Sequence, residues 1–87
     1  MIEKSVRVTN PTGLNARPAA LFVQTAGKFS SSIWIEKGER RVNAKSIMGL
    51  MSLAISQGTD VMIGAEGEDE LLAVKELVDL LRVGLRE

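Results

Sequence analysis

Residues 6–26 read VRVTNPTGLNARPAALFVQTA, and a change of period inside that stretch decides the fold. Val6 and Val8 alternate with Arg7, the period of two of a strand, which predicts Val6 and Val8 inward and Ser5 and Arg7 outward. Asn10, Pro11, Thr12 and Gly13 then cluster as turn formers. Beyond them Ala19, Phe22, Val23 and Ala26 recur at the i, i+3, i+4, i+7 spacing of one helical face. Asn15 suits the N-cap of that helix, because its side-chain oxygen can accept from an orphan amide two or three residues on, and Pro18 is tolerable in the first turn. Gly27 closes the helix, and Lys28 suits its negative end.

Working outward, Ile33 and Ile35 share one strand face and Trp34 the other, followed by a turn at Lys37, Gly38 and Glu39 and a short run through Val42. Ser46 stands where an N-cap belongs, ahead of the apolar segment Ile47–Leu53. Gly58, Thr59 and Asp60 mark a turn, and Val61 and Ile63 alternate in a fourth strand. Leu71, Val74, Leu77, Val78 and Leu81 form an amphipathic helix, with Glu68, Asp69 and Glu70 at its start and Arg82 and Arg86 near its end. The order βαββαβα predicts an α+β sandwich of two layers, a four-stranded sheet with helices on one side. Trp34 falls on the uncovered face, either shielded by its neighbours or serving as a dimer contact, so that monomer and homodimer both fit.

Composition excludes several functions. With 45% hydrophobic residues over 87 positions the chain can close one small core, which predicts a single domain over residues 1–87. Eleven Lys and Arg balance 11 Asp and Glu, which argues against direct nucleic-acid binding, since that affinity comes from clustered cations on phosphates. The adjacent Arg40 and Arg41 read as a solvated hairpin end. The start of the chain alternates charged and apolar residues, unlike a signal peptide, and no run approaches the ~20 apolar residues of a membrane span. Cysteine is absent, which removes disulfides and fits a reducing cytoplasm. Histidine is absent too, and with it the commonest general base near neutral pH and the commonest metal ligand.

Few groups remain to do chemistry, so neither enzymatic activity, nor a cofactor, nor a metal is expected. Glu66, Glu68, Asp69, Glu70 and Glu76 mostly sit where a helix start wants negative charge. Lys45 beside Ser46 suggests a serine-lysine pair, but sequence neighbours on a helix do not face each other. The eight glycines are scattered singly, and no phosphate-loop spacing occurs. Two helix starts stand out, at Asn15 and Ser46. Arg17 lies beside the first, a guanidinium suited to phosphate or carboxylate. Ile47, Met48 and Met51 follow the second, and two readings stay open for them: a methionine-rich protein-binding surface, or core.

Gly13 to Ala19 (GLNARPA) and Asn43 to Leu53 (NAKSIMGLMSL) together resemble the HPr family of the bacterial phosphotransferase system, over essentially all 87 residues. The resemblance implies an open-faced β-sandwich, a four-stranded antiparallel sheet with three helices on one face. It also implies a phosphocarrier that passes a phosphoryl group from enzyme I to sugar transporters through a histidine, and here Asn15 occupies that histidine's place. Imidazole offers a neutral nitrogen lone pair with a pKa near ~6.5. The amide lone pair of Asn15 is delocalised into its carbonyl, so no relay to sugar transporters is expected.

The second motif is intact. In relatives from Gram-positive bacteria the matching serine is phosphorylated by the bifunctional HPr kinase/phosphorylase, and a branch of the family that lacks the histidine keeps this serine. The resemblance therefore implies a regulatory protein of carbon catabolite repression, in which phosphorylated Ser46 makes the chain a corepressor of the transcription regulator CcpA. Arg17, Ile47, Met48 and Met51 are the expected partner contacts, with Asn15 and Ala20 at their edge. An HPr phosphocarrier with histidine exchanged for asparagine at position 15 would read the same.

Overall fold

The computed structural model describes residues 1–11, 13–14 and 16–84, and the side chains of all of these but 16, 83 and 84. Its elements run β1 (Ile2–Arg7), α1 (Ala16–Ala26), β2 (Ser32–Lys37), β3 (Arg40–Asn43), α2 (Ile47–Ser52), β4 (Asp60–Glu66) and α3 (Glu70–Asp79), with a π-helical turn over Leu80–Gly84. This is the expected order. All strand pairings are antiparallel, and the sheet order is β1-β4-β2-β3.

Register explains the two faces. Val6 lies opposite Val61, Ile35 opposite Ile63, and Ile33 opposite Ala65, so these side chains share the face toward the helices. Phe22 of α1, Leu50 of α2 and Leu77 of α3 are wholly buried against that layer. The strand around Val6 starts earlier than its alternation suggests, at Ile2. Its first half pairs with β4 as an edge strand carrying Glu3 and Lys4, and those charges hide the period of two.

The uncovered face is closed by its own side chains. Trp34 lies across Gly64, where an added Cβ would stand 2.3–2.5 Å from the indole. The Arg41 guanidinium sits 5.0 Å over the ring centroid and pairs with Glu36 at 2.6 Å and with Glu3 at 3.9 Å. The indole is thus half-buried, and its Nε1 is shut away from water without a hydrogen-bond partner among the described residues. Arg41 is therefore not a free hairpin charge, since the close pairing of β2 with β3 sets it directly opposite Glu36.

Asp69 is the N-cap of α3, at the helix start where its charge is expected. Its carboxylate makes no cap bond there. Instead it accepts from the Ser30 amide at 2.9 Å, the Ser31 amide at 3.0 Å and the Ser31 hydroxyl, pinning the entry to β2. The Ser31 hydroxyl first, then the Ser30 amide, hold its pKa below the ordinary aspartate value. Glu70 also answers the expectation of charge at the helix start, accepting from the Gly67 amide at 3.0 Å and pairing with the N-terminal amine at 3.1 Å. At the other end of α3, Thr9 Oγ1 donates to the Arg82 carbonyl at 2.6 Å, whereas Arg86 lies outside the described residues.

Gly64→Val should push the indole off the sheet, cost about 1–3 kcal/mol in urea denaturation and move Trp34 emission to the red. Unchanged emission and midpoint would contradict the packing. Because Asp69 is shifted downward, its contribution is fully present above the unfolded-state pKa and is lost as pH falls through the lower folded-state value. Acid unfolding of Asp69→Asn should accordingly depend less steeply on pH than that of the parent chain.

Candidate functional site

A helix of six residues is too short to persist alone in water, so its surroundings must hold α2 in place. At its start, Asn43 Oδ1 accepts from the Lys45 amide at 2.8 Å and the Asn43 carbonyl from the Ser46 amide at 3.1 Å, folding the chain out of β3. Ala44 is buried there and donates its amide to the Ile33 carbonyl at 3.0 Å. Ser46, with extended φ and ψ, then caps the helix as expected: its Oγ accepts from the Gly49 amide at 3.1 Å, and its carbonyl accepts from Leu50. Gly49 keeps that corner open, since a Cβ would lie 3.3 Å from both Ser46 Oγ and Val42 Cβ.

Burial decides between the two readings of the apolar segment. Leu50, Leu53 and Ile55 go into the core, while Ile47, Met48 and Met51 are 40%, 81% and 40% exposed. Helix α1 packs against α2 and buries Ala19, Phe22 and Ala26 of the expected stripe, with its fourth member, Val23, half-buried. It presents Arg17 outward, Ala20 half-buried, and Leu21 42% exposed. Leu21 was not among the expected contacts, although its place off the buried stripe is itself a sign of exposure.

Asn15 lies outside the described residues, but Gly13 and Leu14, just before it, are tied to the chain that follows α2. Gly13 has φ +66°, and a Cβ there would come within 2.5 Å of the Ile55 carbonyl oxygen. Asn10 Nδ2 donates to the Gly13 carbonyl at 2.8 Å, and the Leu14 amide donates to Ile55 at 3.0 Å. The approach to position 15 is therefore bonded to the segment that follows α2.

Lys45 cannot serve Ser46 as a base while its Nζ donates to the Phe29 carbonyl, three residues past the end of α1, at 2.7 Å. At the far end of α2, Arg40 donates to the Ser52 carbonyl at 2.9 Å and to Ser52 Oγ at 3.2 Å. Lys37 Nζ donates to the carbonyls of Leu53 at 2.9 Å and Ala54 at 3.1 Å. The hairpin cations thus bind carbonyls at the end of α2 and just beyond it rather than solvent alone. No group of metal-binding side chains occurs among the described residues, and no helix there is long and apolar enough to cross a membrane. What remains is a half-buried serine hydroxyl beside an exposed apolar surface, suited to receiving a group and presenting it.

The family model described as the PTS HPr component phosphorylation site matches residues 2–82. The chain belongs to the HPr family. Within that family it is 57% identical over 77 residues to the HPr-like protein Crh of Bacillus subtilis, an alignment covering 88% of this chain and 91% of the relative. The crystal structure of HPr-C-His from Thermoanaerobacter tengcongensis superposes with a TM-score of 0.94 at 60% identity, covering 98% of this chain and 96% of that one. The crystal structure of Bacillus subtilis Crh, described as a catabolite repression protein and a swapped dimer, has a TM-score of 0.76 at 54% identity, with 94% of each chain covered. This is an HPr-like protein of the Crh type, with the four-stranded antiparallel sheet and three helices of HPr.

Removing the hydroxyl of Ser46 removes one N-cap hydrogen bond. Ser46→Ala is expected to cost about 1 kcal/mol in chemical denaturation and to leave the fold intact. A loss several times larger would mean that the serine carries more of the structure than its single bond to Gly49.

Proposed function

We propose that this HPr-family chain is a non-enzymatic regulator of carbon catabolite repression, phosphorylated on Ser46 by HPr kinase/phosphorylase and then bound by CcpA as corepressor. The observation that carries this reading is the pairing of Asn15, which has no nucleophilic imidazole, with a Ser46 motif that retains its capping geometry. Its similarity to Crh supports the same assignment. The chain passes no phosphoryl group to sugar transporters, and it works in the cytoplasm as a monomer or homodimer.

Phosphorylation adds about −1.5 to −2 charges at a helix start, where the backbone dipole tolerates them. The fold survives, and the surface changes. A dianion now stands beside Ile47, Met48 and Met51, whose exposure offers apolar area to a partner. Arginines or lysines on that partner recognise the phosphate through charge-assisted hydrogen bonds, while a pocket between them takes the methionines. Arg17 and Ala20 complete the contact from α1, with position 15 at its edge.

Incubation with HPr kinase/phosphorylase and ATP, followed by phosphosite mapping, should place one phosphate on Ser46. The phosphorylated chain should bind CcpA at least about tenfold more tightly than the unmodified chain, as loss of one well-formed charged contact would reverse. Ser46→Ala should show neither effect. Binding of the alanine variant at the affinity of the phosphorylated chain would refute the mechanism, and phosphoryl uptake from enzyme I would refute the silent relay.

A further inference from the structure

The hairpin between β2 and β3 holds the end of α2 opposite Ser46. The side chains responsible, Lys37 and Arg40, stand three residues apart across the turn at Gly38, which has φ +62°. Lys37 takes the carbonyls of Leu53 and Ala54, and Arg40 takes the Ser52 carbonyl, so charged donors meet the carbonyl groups that a helix end leaves unpaired. One of the residues held there, Ala54, has φ +51°, a left-handed conformation unfavourable for any residue with a Cβ.

The contacts continue through the helix. Arg40 donates to Ser52 Oγ at 3.2 Å, Ser52 Oγ donates to the Gly49 carbonyl at 2.6 Å, and the Gly49 amide donates to Ser46 Oγ at 3.1 Å. A chain of hydrogen bonds therefore runs from the hairpin guanidinium to the serine hydroxyl across a helix of only six residues. So short a helix has little cohesion of its own, and releasing one end loosens the other.

We propose that Lys37 and Arg40 are positioning residues for the Ser46 surface: from the hairpin they hold α2 in the conformation in which Ser46, Met48 and Met51 are presented. They need not touch the partner. Their effect is on the fraction of molecules whose helix is already formed, and apparent affinity falls in proportion to that fraction. This rests on the reading of Ser46 as phosphoacceptor, but the hold on the helix itself does not.

The test compares the full chain with the double variant Lys37→Met, Arg40→Met and with Arg40→Lys, which keeps the charge but not the forked donor. The amides of Gly49 and Leu50 should lose most of their protection against hydrogen exchange in the double variant, with α2 formed in about a fifth of the molecules, while Ile63 in β4 keeps its protection. The KM of HPr kinase/phosphorylase for the chain should then rise about fivefold, the inverse of the formed fraction, with kcat within about twofold, and Arg40→Lys should fall between the two. Protection kept at Gly49 and Leu50, a loss shared equally by Ile63, or an unchanged KM despite a mostly unprotected α2 would overturn the proposal. If the kinase does not phosphorylate the parent chain, the reading of Ser46 fails, and the exchange at Gly49 and Leu50 alone decides the hold.

Discussion

The cohesion that α2 lacks is the constraint on which this surface depends. Six helical residues complete too few internal hydrogen bonds to offset the cost of ordering them. Leu50 fixes the helix inward, with Leu53 and Ile55 extending the anchor just beyond it. Ser46 and Asn43 fix its start, and two cations from a neighbouring hairpin fix its end. Because the hold comes from outside, the opposite side of the helix is spared the work of packing and can carry Ile47, Met48 and Met51 in water. An exposed methionine on a longer, self-supporting helix would call for a different explanation.

The same economy appears on the open face of the sheet. A single layer of helices leaves the outer strand face without a cover, and residues of both charges there pair with one another instead. Arg7 and Asp60 join at 2.9 Å, and Arg41 reaches Glu36 over the indole of Trp34. The Arg7 guanidinium beside Asp60 lowers the carboxyl's pKa, while the carboxylate raises that of the arginine. Exposed pairs of this kind contribute little stability. Their value here lies in fixing register: Glu36 faces Arg41, and Arg7 faces Asp60, only when the strands are aligned as they are.

These features differ in how plainly the chain displays them. Ile33 with Ile35 and Val61 with Ile63 announced their strands because one buried face imposes a period of two, and Phe22 with Val23 and Ala26 announced α1 by the same logic at 3.6. The apolar run at Ile47 did not sort itself, because a segment with scarcely a polar residue offers no contrast from which to read a face. Only the packing of Leu50 separates it from Met48. Arg40, Lys37 and Asp69 were harder still. Their partners at Ser52, Leu53 and Ser31 lie 12 to 38 residues away, and no local periodicity encodes a contact of that range. Leu21 was legible in principle, as the large apolar residue left off the buried stripe of α1.

The histidine missing from the composition takes its meaning from this geometry. A phosphoryl relay needs a lone pair that accepts and releases phosphorus near neutral pH, and an asparagine amide does not provide one. On the proposed reading, asparagine at position 15 places no demand on the capping of α2, whose start is set by Asn43 and Ser46, or on its end, set by Lys37 and Arg40. The two stretches are nevertheless joined, through the amide of Leu14 on the carbonyl of Ile55 and through the packing of α1 on α2. A substitution that abolishes chemistry at one of them can therefore leave the shape of the shared surface unchanged. On the proposed reading, relay and regulation are separable because the first depends on the electronic structure of one side chain, whereas the second depends on how a short helix is held.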